Sequence, residues 1–234
     1  MTDGANVAVV IAAAGSGSRF GSELPKQFCE LNGLPVAFHA IERLRSFLPK
    51  ARIITVLAPG KLDYWADLCR RHNILPTLTA SGGDTRWQSV KNALELIDST
   101  TDIVMVHDAA RPIVMERVVR QLSQAVAAGA DGALPVVPMT DSLRMDCEAG
   151  GSLAVDRSKF HAVQTPQAFN LAKLKEAYQI PWRPEFTDDA SVMEAAGFGN
   201  IELVEGDEAT LKITRPVDIE LAVLYLERSN EHTA

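Results

Sequence analysis

Short apolar runs alternate along this chain with longer stretches in which apolar residues recur at helical spacing. The longer of these runs, such as 7–14 and 132–137, are continuous rather than alternating, and they have the length of strands buried on both faces. Such runs predict β-strands over residues 7–14, 52–57, 74–78, 102–107, 132–137, 201–204 and 211–214. The stretches between them carry apolar residues three and four positions apart, which is typical of helices with one buried face. These predict helices starting after Pro35, over 62–71 and 85–97, around 118–125, over 171–178 and 188–196, and from Pro216 onward.

Alternation of strands with helices is the signature of a parallel sheet, because each helix carries the chain back to start the next strand. The pattern therefore predicts an α/β fold: a Rossmann-like, mostly parallel twisted sheet with helices on both faces. Ligands of such sheets bind at the carboxyl ends of the strands. Two polar segments follow predicted strands directly, one starting at Gly15 and one at Asp108.

From about residue 138 to 160 the pattern changes. Two short segments flank Gly150 and Gly151, which predicts a β-hairpin around a glycine turn. The hairpin has few large apolar residues, and an isolated two-stranded hairpin is marginally stable in water. We therefore expect residues 1–234 to form one domain with a protruding β-arm at about 138–160, and a second copy of the chain is a good candidate for the surface that this arm packs on.

Composition narrows the classes of protein that the chain can represent. The 234 residues are 47% hydrophobic with a net charge of −7, so a large core is possible and a basic nucleic-acid-binding surface is not expected. No apolar run approaches the ~18 residues of a membrane span, and no basic region precedes the first run. The three cysteines, Cys29, Cys69 and Cys147, are far apart and predict reduced thiols in a cytoplasmic protein.

The first apolar run ends in a loop of very small residues, Gly15 to Ser18, followed by the cations Arg19 and Lys26. Small residues let the backbone approach a ligand, and successive N–H groups can bind an anion. The spacing differs from a Walker A loop, and a dinucleotide-binding fingerprint would need glycine at Phe20. The loop therefore predicts a triphosphate site of another kind, with a plain strand-to-helix turn as the alternative.

Four motifs together carry a family resemblance. The stretch AAAGSGSRFG followed by PKQF resembles the signature loop of the sugar nucleotidyltransferases. With HDAARP at 107–112, QTPQ at 164–167 and TDDA at 187–190, the chain resembles the 2-C-methyl-D-erythritol 4-phosphate cytidylyltransferase family of the non-mevalonate isoprenoid pathway. The resemblance extends from about residue 7 to about residue 226.

This resemblance implies a reaction in which a substrate phosphate oxygen attacks the α-phosphorus of CTP and pyrophosphate leaves. It implies that Arg19 and Lys26 are the catalytic cations and that Asp108 holds Mg²⁺. It also implies a homodimer. The nucleotide-binding residues that it implies, beyond those three, are Ala12, Ala13, Ala14, Gly15, Ser16, Gly17, Gly82, Gly83, Asp84, Arg86, Ser89 and Ala109. The implied residues for the phosphorylated polyol are Asp108, Arg111, Thr165, Thr187, Lys212 and, donated by the partner's arm, Arg157.

Two segments depart from the family pattern. Thr210-Leu211-Lys212 stands where Asn-Ile-Lys is usual, and Asp141-Ser142-Leu143-Arg144 replaces the usual Asp-Thr-Ile/Leu-Lys. The charges are retained, so the departures bear on fine substrate contacts rather than on the reaction class. His107 has no cysteine or second histidine nearby and is interpreted as a packing residue at a strand end.

Two alternatives remain open. A cytidylyltransferase acting on ribitol 5-phosphate would share the phosphate loop and the metal site. A non-catalytic protein that binds CTP would also need the loop, although retention of Arg19, Lys26 and Asp108 together favours an enzyme.

Overall fold

An eight-stranded sheet forms the centre of the computed structural model, which describes residues 5–15, 24–148 and 150–231. Two further pairs of short strands lie outside this sheet. The strands are β1 (Val7–Ala13), β2 (Glu30–Leu31), β3 (Leu34–Pro35), β4 (Arg52–Leu57), β5 (Leu78–Ser81), β6 (Ile103–Asp108), β7 (Gly132–Pro138), β8 (Leu143–Asp146), β9 (Ser152–Val155), β10 (His161–Val163), β11 (Gln167–Asn170) and β12 (Ile201–Glu205).

The strand order confirms a mostly parallel sheet. Strands β6, β1, β4 and β5 are neighbours in that order and pair in parallel. Strand β7 pairs in parallel with β12 and antiparallel with β10 and β11, and β11 joins it to β6. The register places Ala12 of β1 beside Asp108 of β6. The carboxyl ends of these two strands, and the polar segments after them, therefore lie side by side.

Side chains of successive strand residues point to opposite faces of the sheet, and both faces are covered. Val9 and Ile11 belong to one buried cluster, whereas Ala8 and Val10 belong to the other. Burial on both faces explains why the strands read as continuous apolar runs. The α-helices are α1 (Val36–Phe47), α2 (Leu62–Arg71), α3 (Arg86–Leu94), α4 (Glu116–Ala127), α5 (Leu171–Ala177), α6 (Asp189–Ala195) and α7 (Val217–Glu231).

The helices divide between the two faces. Helices α1, α2 and α4 contribute to the cluster around Val9, and α3, α5 and α6 contribute to the cluster around Val10. A third, smaller cluster joins α7 to Ile113 and Ile213. This cluster holds the segment 210–214 beside the turn that follows β6. A backbone hydrogen bond from the Ile213 N–H to the Ala110 carbonyl holds it there as well.

Three sequence predictions of strands and helices need correction. The strand predicted over 74–78 is β5 instead, since Pro76 has no N–H for a sheet and Leu75 is 71% exposed. Residues 211–214 pair with none of the described strands. The helix predicted over 85–97 ends at Leu94. Strands β10 and β11 were not predicted, because each is short and partly polar.

The predicted hairpin is confirmed. Strands β8 and β9 pair only with each other, with Leu143 opposite Val155, and form a separate two-stranded sheet. Met145 and Leu153 on these strands are 56% and 57% exposed. We call residues 138–160 the arm. Its apolar side chains have little to pack on within their own chain.

None of the helices in the described part of the chain combines the length and the apolar character that crossing a membrane requires.

Candidate active site

The start of the small-residue loop, where the chain leaves β1, is held from inside the protein by Gln27. Its side-chain amide donates to the carbonyls of Ala13 and Gly15, at 2.7 and 2.9 Å. Gln27 is buried and sits in a short 3₁₀ turn, Lys26–Phe28, that follows Pro25. Because Lys26 directly precedes Gln27, these hydrogen bonds hold the predicted catalytic lysine next to the loop. Ser16, Gly17 and Arg19 lie outside the described residues.

The predicted cytosine-binding segment, residues 82–89, is packed against the same loop. A Cβ added to Gly82 would lie 2.4 Å from the Cβ of Ala14, so only glycine fits at this approach. The Gly83 N–H donates to Ser89 Oγ at 3.1 Å, and Ser89 Oγ donates to the Thr85 carbonyl at 2.9 Å. The Ser89 hydroxyl therefore shapes the segment from within. Asp84 is exposed beside it.

Asp108, at the end of β6, is surrounded by three cations. Its Oδ2 lies 2.8 Å from Lys212 Nζ and 3.8 Å from Arg111 Nε, and its Oδ1 lies 3.7 Å from Arg86 Nε. Of these three cations, only Lys212 is within hydrogen-bonding distance of Asp108. The cluster brings together four residues that are up to 126 positions apart. Arg86 also pairs with Asp189, so three positive charges face two carboxylates and exceed them by one. Such a surplus suits a polyphosphate ligand.

Charge controls the ionisation of Asp108. Burial acts to raise the pKa of this carboxyl, but the charges of Arg86 and Lys212 and the hydrogen bond from Lys212 outweigh burial. The pKa therefore lies well below its usual range, and Asp108 is an anion at any physiological pH.

Arg111 is anchored by backbone carbonyls. Its Nη1 donates to the Thr210 carbonyl at 2.8 Å and its Nη2 to the Val163 carbonyl at 3.4 Å. The contact from residue 210 uses its backbone, so the departure from asparagine to threonine at this position does not remove it. Arg111 thereby connects the turn after β6 to the segment that carries Lys212.

Arg86 is shared between two carboxylates. Its Nη2 donates to Asp189 Oδ2 at 2.6 Å, while its Nε faces Asp108. Asp189 is fully buried and also accepts a hydrogen bond from Tyr178 Oη at 2.6 Å. Burial acts to lower the pKa of Arg86, but the charges of Asp189 and Asp108 raise it above its usual value. Arg86 therefore stays charged and is oriented toward Asp108.

His107 is fully buried at the end of β6, as the sequence predicted, and both ring nitrogens are hydrogen-bonded. Nε2 lies 2.9 Å from the Arg111 carbonyl and Nδ1 lies 3.1 Å from Thr165 Oγ1. Burial lowers the pKa of His107 to about 4, with smaller opposing effects from the Arg111 carbonyl and Asp108. The imidazole is therefore neutral at pH 7.

This depressed pKa predicts an acid-sensitive fold. The unfolded chain binds a proton at His107 below about pH 6.5, whereas the folded chain does so only below about 4. Stability from this residue is therefore complete above pH 6.5 and is lost as pH falls toward 4. The loss is about 3 kcal/mol, from about 1.4 kcal/mol per unit of pKa shift.

Urea unfolding between pH 7 and 4, without nucleotide or Mg²⁺, measures this loss. A His107→Gln variant is the comparison, since it cannot titrate in this range. The two proteins should differ in stability by less at pH 4 than at pH 7. A constant difference would contradict the assignment.

The remaining predicted residues are distributed around this centre. Ala12 and Ala109 join the two strand ends, since the Ala109 N–H donates to the Ala12 carbonyl at 3.2 Å. Thr165 contacts the backbone N–H of Asp108 at 3.0 Å. Thr187 is exposed directly before Asp188, the N-cap of α6. Arg157 is an exposed residue of the arm, and its Nη1 donates to the Thr140 carbonyl.

Sequence reasoning overlooked the residues that support this site. Gln27 and Asp189 belong to motifs that the resemblance quoted, PKQF and TDDA, yet neither was given a role. Tyr178 belongs to no motif. Tyr178 directly follows the apolar face of α5, and a hydroxyl-bearing residue at such a buried position is the signal that could have pointed to a buried hydrogen bond.

Comparison with known proteins identifies one family that the sequence of this chain matches. The family model of IspD, 2-C-methyl-D-erythritol 4-phosphate cytidylyltransferase, matches residues 7–228. The enzyme of that name from Bacteroides thetaiotaomicron is 41% identical over 219 residues, which cover 93% of this chain and 98% of the relative. The relative from Porphyromonas gingivalis strain W83 is 39% identical over 225 residues, covering 93% and 96%.

Solved structures with the same name or with IspD in their name have a similar fold. The crystal structure of 2-C-methyl-D-erythritol 4-phosphate cytidylyltransferase from Thermus thermophilus superimposes with a TM-score of 0.73 at 30% identity, covering 94% of this chain and 98% of that one. The bifunctional IspDF of Campylobacter jejuni gives a TM-score of 0.77 at 33% identity, covering 92% of this chain and 54% of that longer one. The chain belongs to the 2-C-methyl-D-erythritol 4-phosphate cytidylyltransferase family.

Proposed function

We propose that this chain transfers the cytidylyl group of CTP to 2-C-methyl-D-erythritol 4-phosphate and releases pyrophosphate, a step of isoprenoid precursor biosynthesis. The family match over residues 7–228 supports the activity. The observation in the structure that carries the proposal is the group of three cations around Asp108, beside the small-residue loop after β1. That arrangement places positive charge where two phosphorylated substrates would meet.

The residues act by electrostatics and positioning. The attacking group is a phosphate oxygen that is already ionised at pH 7, so the reaction needs no general base. Negative charge develops on the α-phosphate oxygens and on the leaving pyrophosphate, and cations and N–H groups fixed in place stabilise it. Lys26 lies beside the loop for this purpose, together with Arg19 as the second predicted cation. Lys212 and Arg111 would hold the incoming phosphate near the α-phosphorus.

We further propose that Asp108 binds Mg²⁺ together with the triphosphate. Its Oδ2 is taken by Lys212, whereas among the described residues the cation nearest to its Oδ1 is Arg86, whose Nε lies at 3.7 Å, beyond hydrogen-bonding distance. An ionised oxygen with a free coordination position is a suitable ligand for a hard cation. Within the described ranges, no group of three His, Cys, Asp or Glu side chains could hold a metal, so phosphate oxygens and water would supply the other ligands. When bound, Mg²⁺ would neutralise phosphate charge.

Replacing Asp108 by asparagine should therefore reduce activity while preserving the fold. The loss of a hydrogen bond to a charged group and of one metal ligand is expected to lower kcat/KM about 10–100-fold. The decrease should be accompanied by a higher Mg²⁺ concentration for half-maximal rate. Asp67, which pairs with Arg70 on the exposed face of α2, offers a matched Asp→Asn control. An unchanged Mg²⁺ requirement in Asp108→Asn would refute the metal assignment.

The arm supports a homodimer. Strands β8 and β9 expose Met145 and Leu153, and within the described part of the chain these two strands form no pair with the main sheet. A second subunit would cover these side chains, and a two-fold interface would let each arm reach the other's site. We propose that Arg157 completes the partner's substrate site in this way. The three cysteines form no disulfide in the described part of the chain, and we propose that the enzyme is cytoplasmic.

One assay tests the function. Pyrophosphate release is measured with CTP, ATP or GTP, each offered 2-C-methyl-D-erythritol 4-phosphate or ribitol 5-phosphate. We expect CTP with the methylerythritol substrate to give by far the highest kcat/KM, because the backbone groups and small side chains of the segment 82–89 can read the edge of a pyrimidine without leaving room for a purine. Higher turnover with ribitol 5-phosphate would assign the alternative substrate, and CTP binding without turnover would indicate a non-catalytic protein.

A further inference from the structure

His107 belongs to a closed set of hydrogen bonds that joins both ends of the turn after β6. The Asp108 N–H donates to Thr165 Oγ1 at 3.0 Å, Thr165 Oγ1 lies 3.1 Å from His107 Nδ1, and His107 Nε2 lies 2.9 Å from the Arg111 carbonyl. The turn itself closes the set, since the Arg111 N–H donates to the Asp108 carbonyl at 3.0 Å. Two charged residues of the site, Asp108 and Arg111, are thus fixed through one histidine.

The direction of each hydrogen bond in this set follows from the atoms involved. A backbone carbonyl only accepts, so His107 Nε2 must carry a hydrogen and donate it to Arg111. The ring is fully buried, and no carboxylate in the described part of the chain forms an ion pair with it. A neutral ring with hydrogen on Nε2 has a bare Nδ1 that can only accept. Thr165 must therefore donate its single hydroxyl hydrogen to Nδ1.

These hydrogen bonds leave the Thr165 hydroxyl able to act toward a ligand only as an acceptor. A hydroxyl has one hydrogen and two lone pairs. In Thr165 the hydrogen is used by His107 and one lone pair by the Asp108 N–H. The second lone pair is all that remains, and it can only accept.

We infer that His107 is a positioning residue that fixes the direction of the Thr165 hydroxyl, so that Thr165 contacts a hydroxyl group of the polyol and never an ionised phosphate oxygen. A phosphate oxygen has no hydrogen to donate, and two facing lone pairs repel each other. The inference rests on the proposed function and deepens it, since it assigns Thr165 to the polyol end of the substrate. The phosphate is then left to Lys212, Arg111 and the partner's arm.

Substrate analogues test the direction of this contact. Each free hydroxyl of 2-C-methyl-D-erythritol 4-phosphate is replaced in turn by hydrogen or by fluorine, neither of which donates. At one position both analogues should lose about tenfold in kcat/KM, because the Thr165 lone pair is left unpaired. That loss should vanish in Thr165→Val and persist in Thr165→Ser, which keeps the hydroxyl. If none of the hydroxyls is coupled to Thr165, the inference is wrong.

A His107→Phe variant separates positioning from structural support. Phenylalanine fills the site but cannot accept, so the Thr165 hydrogen is released to turn toward the substrate. The ratio of kcat/KM between the parent and the fluorinated analogue at the coupled position should then fall toward one. A residue that only supports the fold would lower the rates of both substrates by the same factor and leave the ratio unchanged, which would overturn the proposal.

A third measurement does not depend on activity. Nitrogen NMR of ¹⁵N-histidine-labelled protein distinguishes the two neutral forms of a histidine ring. The chain has five histidines, and the signal missing from His107→Phe identifies the relevant one. We expect hydrogen on Nε2 alone, and hydrogen on Nδ1 would refute the inference. If the parent substrate is not turned over, the proposed function fails in the first experiment, while this spectrum still decides the direction of the hydrogen bond.

Discussion

Lys26→Ala is expected to lower kcat about 10²–10³-fold while leaving the KM for CTP little changed. The reason is that a cation aimed at developing charge acts more strongly on the transition state than on bound substrate. The structure supports this role by the place of Lys26, between Pro25 and the buried Gln27 that holds the carbonyls of Ala13 and Gly15. Steady-state kinetics with varied CTP separates the two constants.

Two variants control this experiment. Lys50 lies in an exposed turn just before β4, at the amino ends of the parallel strands, whereas the loop lies at their carboxyl ends. Lys50→Ala removes the same charge there and should leave both constants unchanged. Lys26→Arg keeps the charge and should recover part of kcat. A Lys26→Ala enzyme with normal kcat and a raised KM for CTP would show that Lys26 binds the ground state and the transition state equally.

The buried strands and most helices could be predicted from sequence because their signals are local. Strand β6 is a run of apolar residues, and α4 repeats apolar residues at helical spacing. Strands β10 and β11 have three and four residues, and their pairing with β7 and β6 depends on segments about 25 to 65 positions away. Leu211 and Ile213 give segment 211–214 the pattern of a strand, but they pack on the cluster that contains α7 rather than on a sheet.

The residues of the site divide in the same way, into those with a local signal in the sequence and those brought together only by the fold. The loop after β1 and Asp108 stand at strand ends, where elementary rules for parallel sheets place ligands. Lys212 is 104 positions from Asp108, and only the family resemblance related the two before the structure placed them 2.8 Å apart. The Asp189 pair with Arg86 and the His107 contact with Thr165 span 103 and 58 positions. Such hydrogen bonds leave no periodic trace in a sequence, since each depends on two single residues that the fold brings together.

Mixed dimers are expected to recover activity that neither parent possesses. One protomer carries Lys26→Ala and the other carries Arg157→Ala, and each alone forms inactive homodimers. If the arm donates Arg157 to the partner's site, one site of the heterodimer has both defects and the other has none. Activity should then return to about half of the wild-type value per dimer, because one of two equivalent sites is intact.

The structure makes Arg157 a suitable candidate for this exchange. It lies at the base of the arm, in the 3₁₀ turn Arg157–Lys159 whose preceding Asp156 accepts from the Ser158 N–H. Its own-chain contact is with the Thr140 carbonyl, within the arm, so it is fixed to the arm rather than to the cluster around Asp108.

A second mixture supplies the matched control. Lys212 lies against Asp108 of its own chain, so Lys26→Ala and Lys212→Ala protomers affect sites built by their own subunits. Their heterodimer has one defect in each site and should stay inactive. Native mass spectrometry measures subunit exchange in both mixtures. Recovery confined to the Arg157 mixture would establish that the arm crosses the interface, whereas exchange without recovery in either would place Arg157 in the site of its own chain.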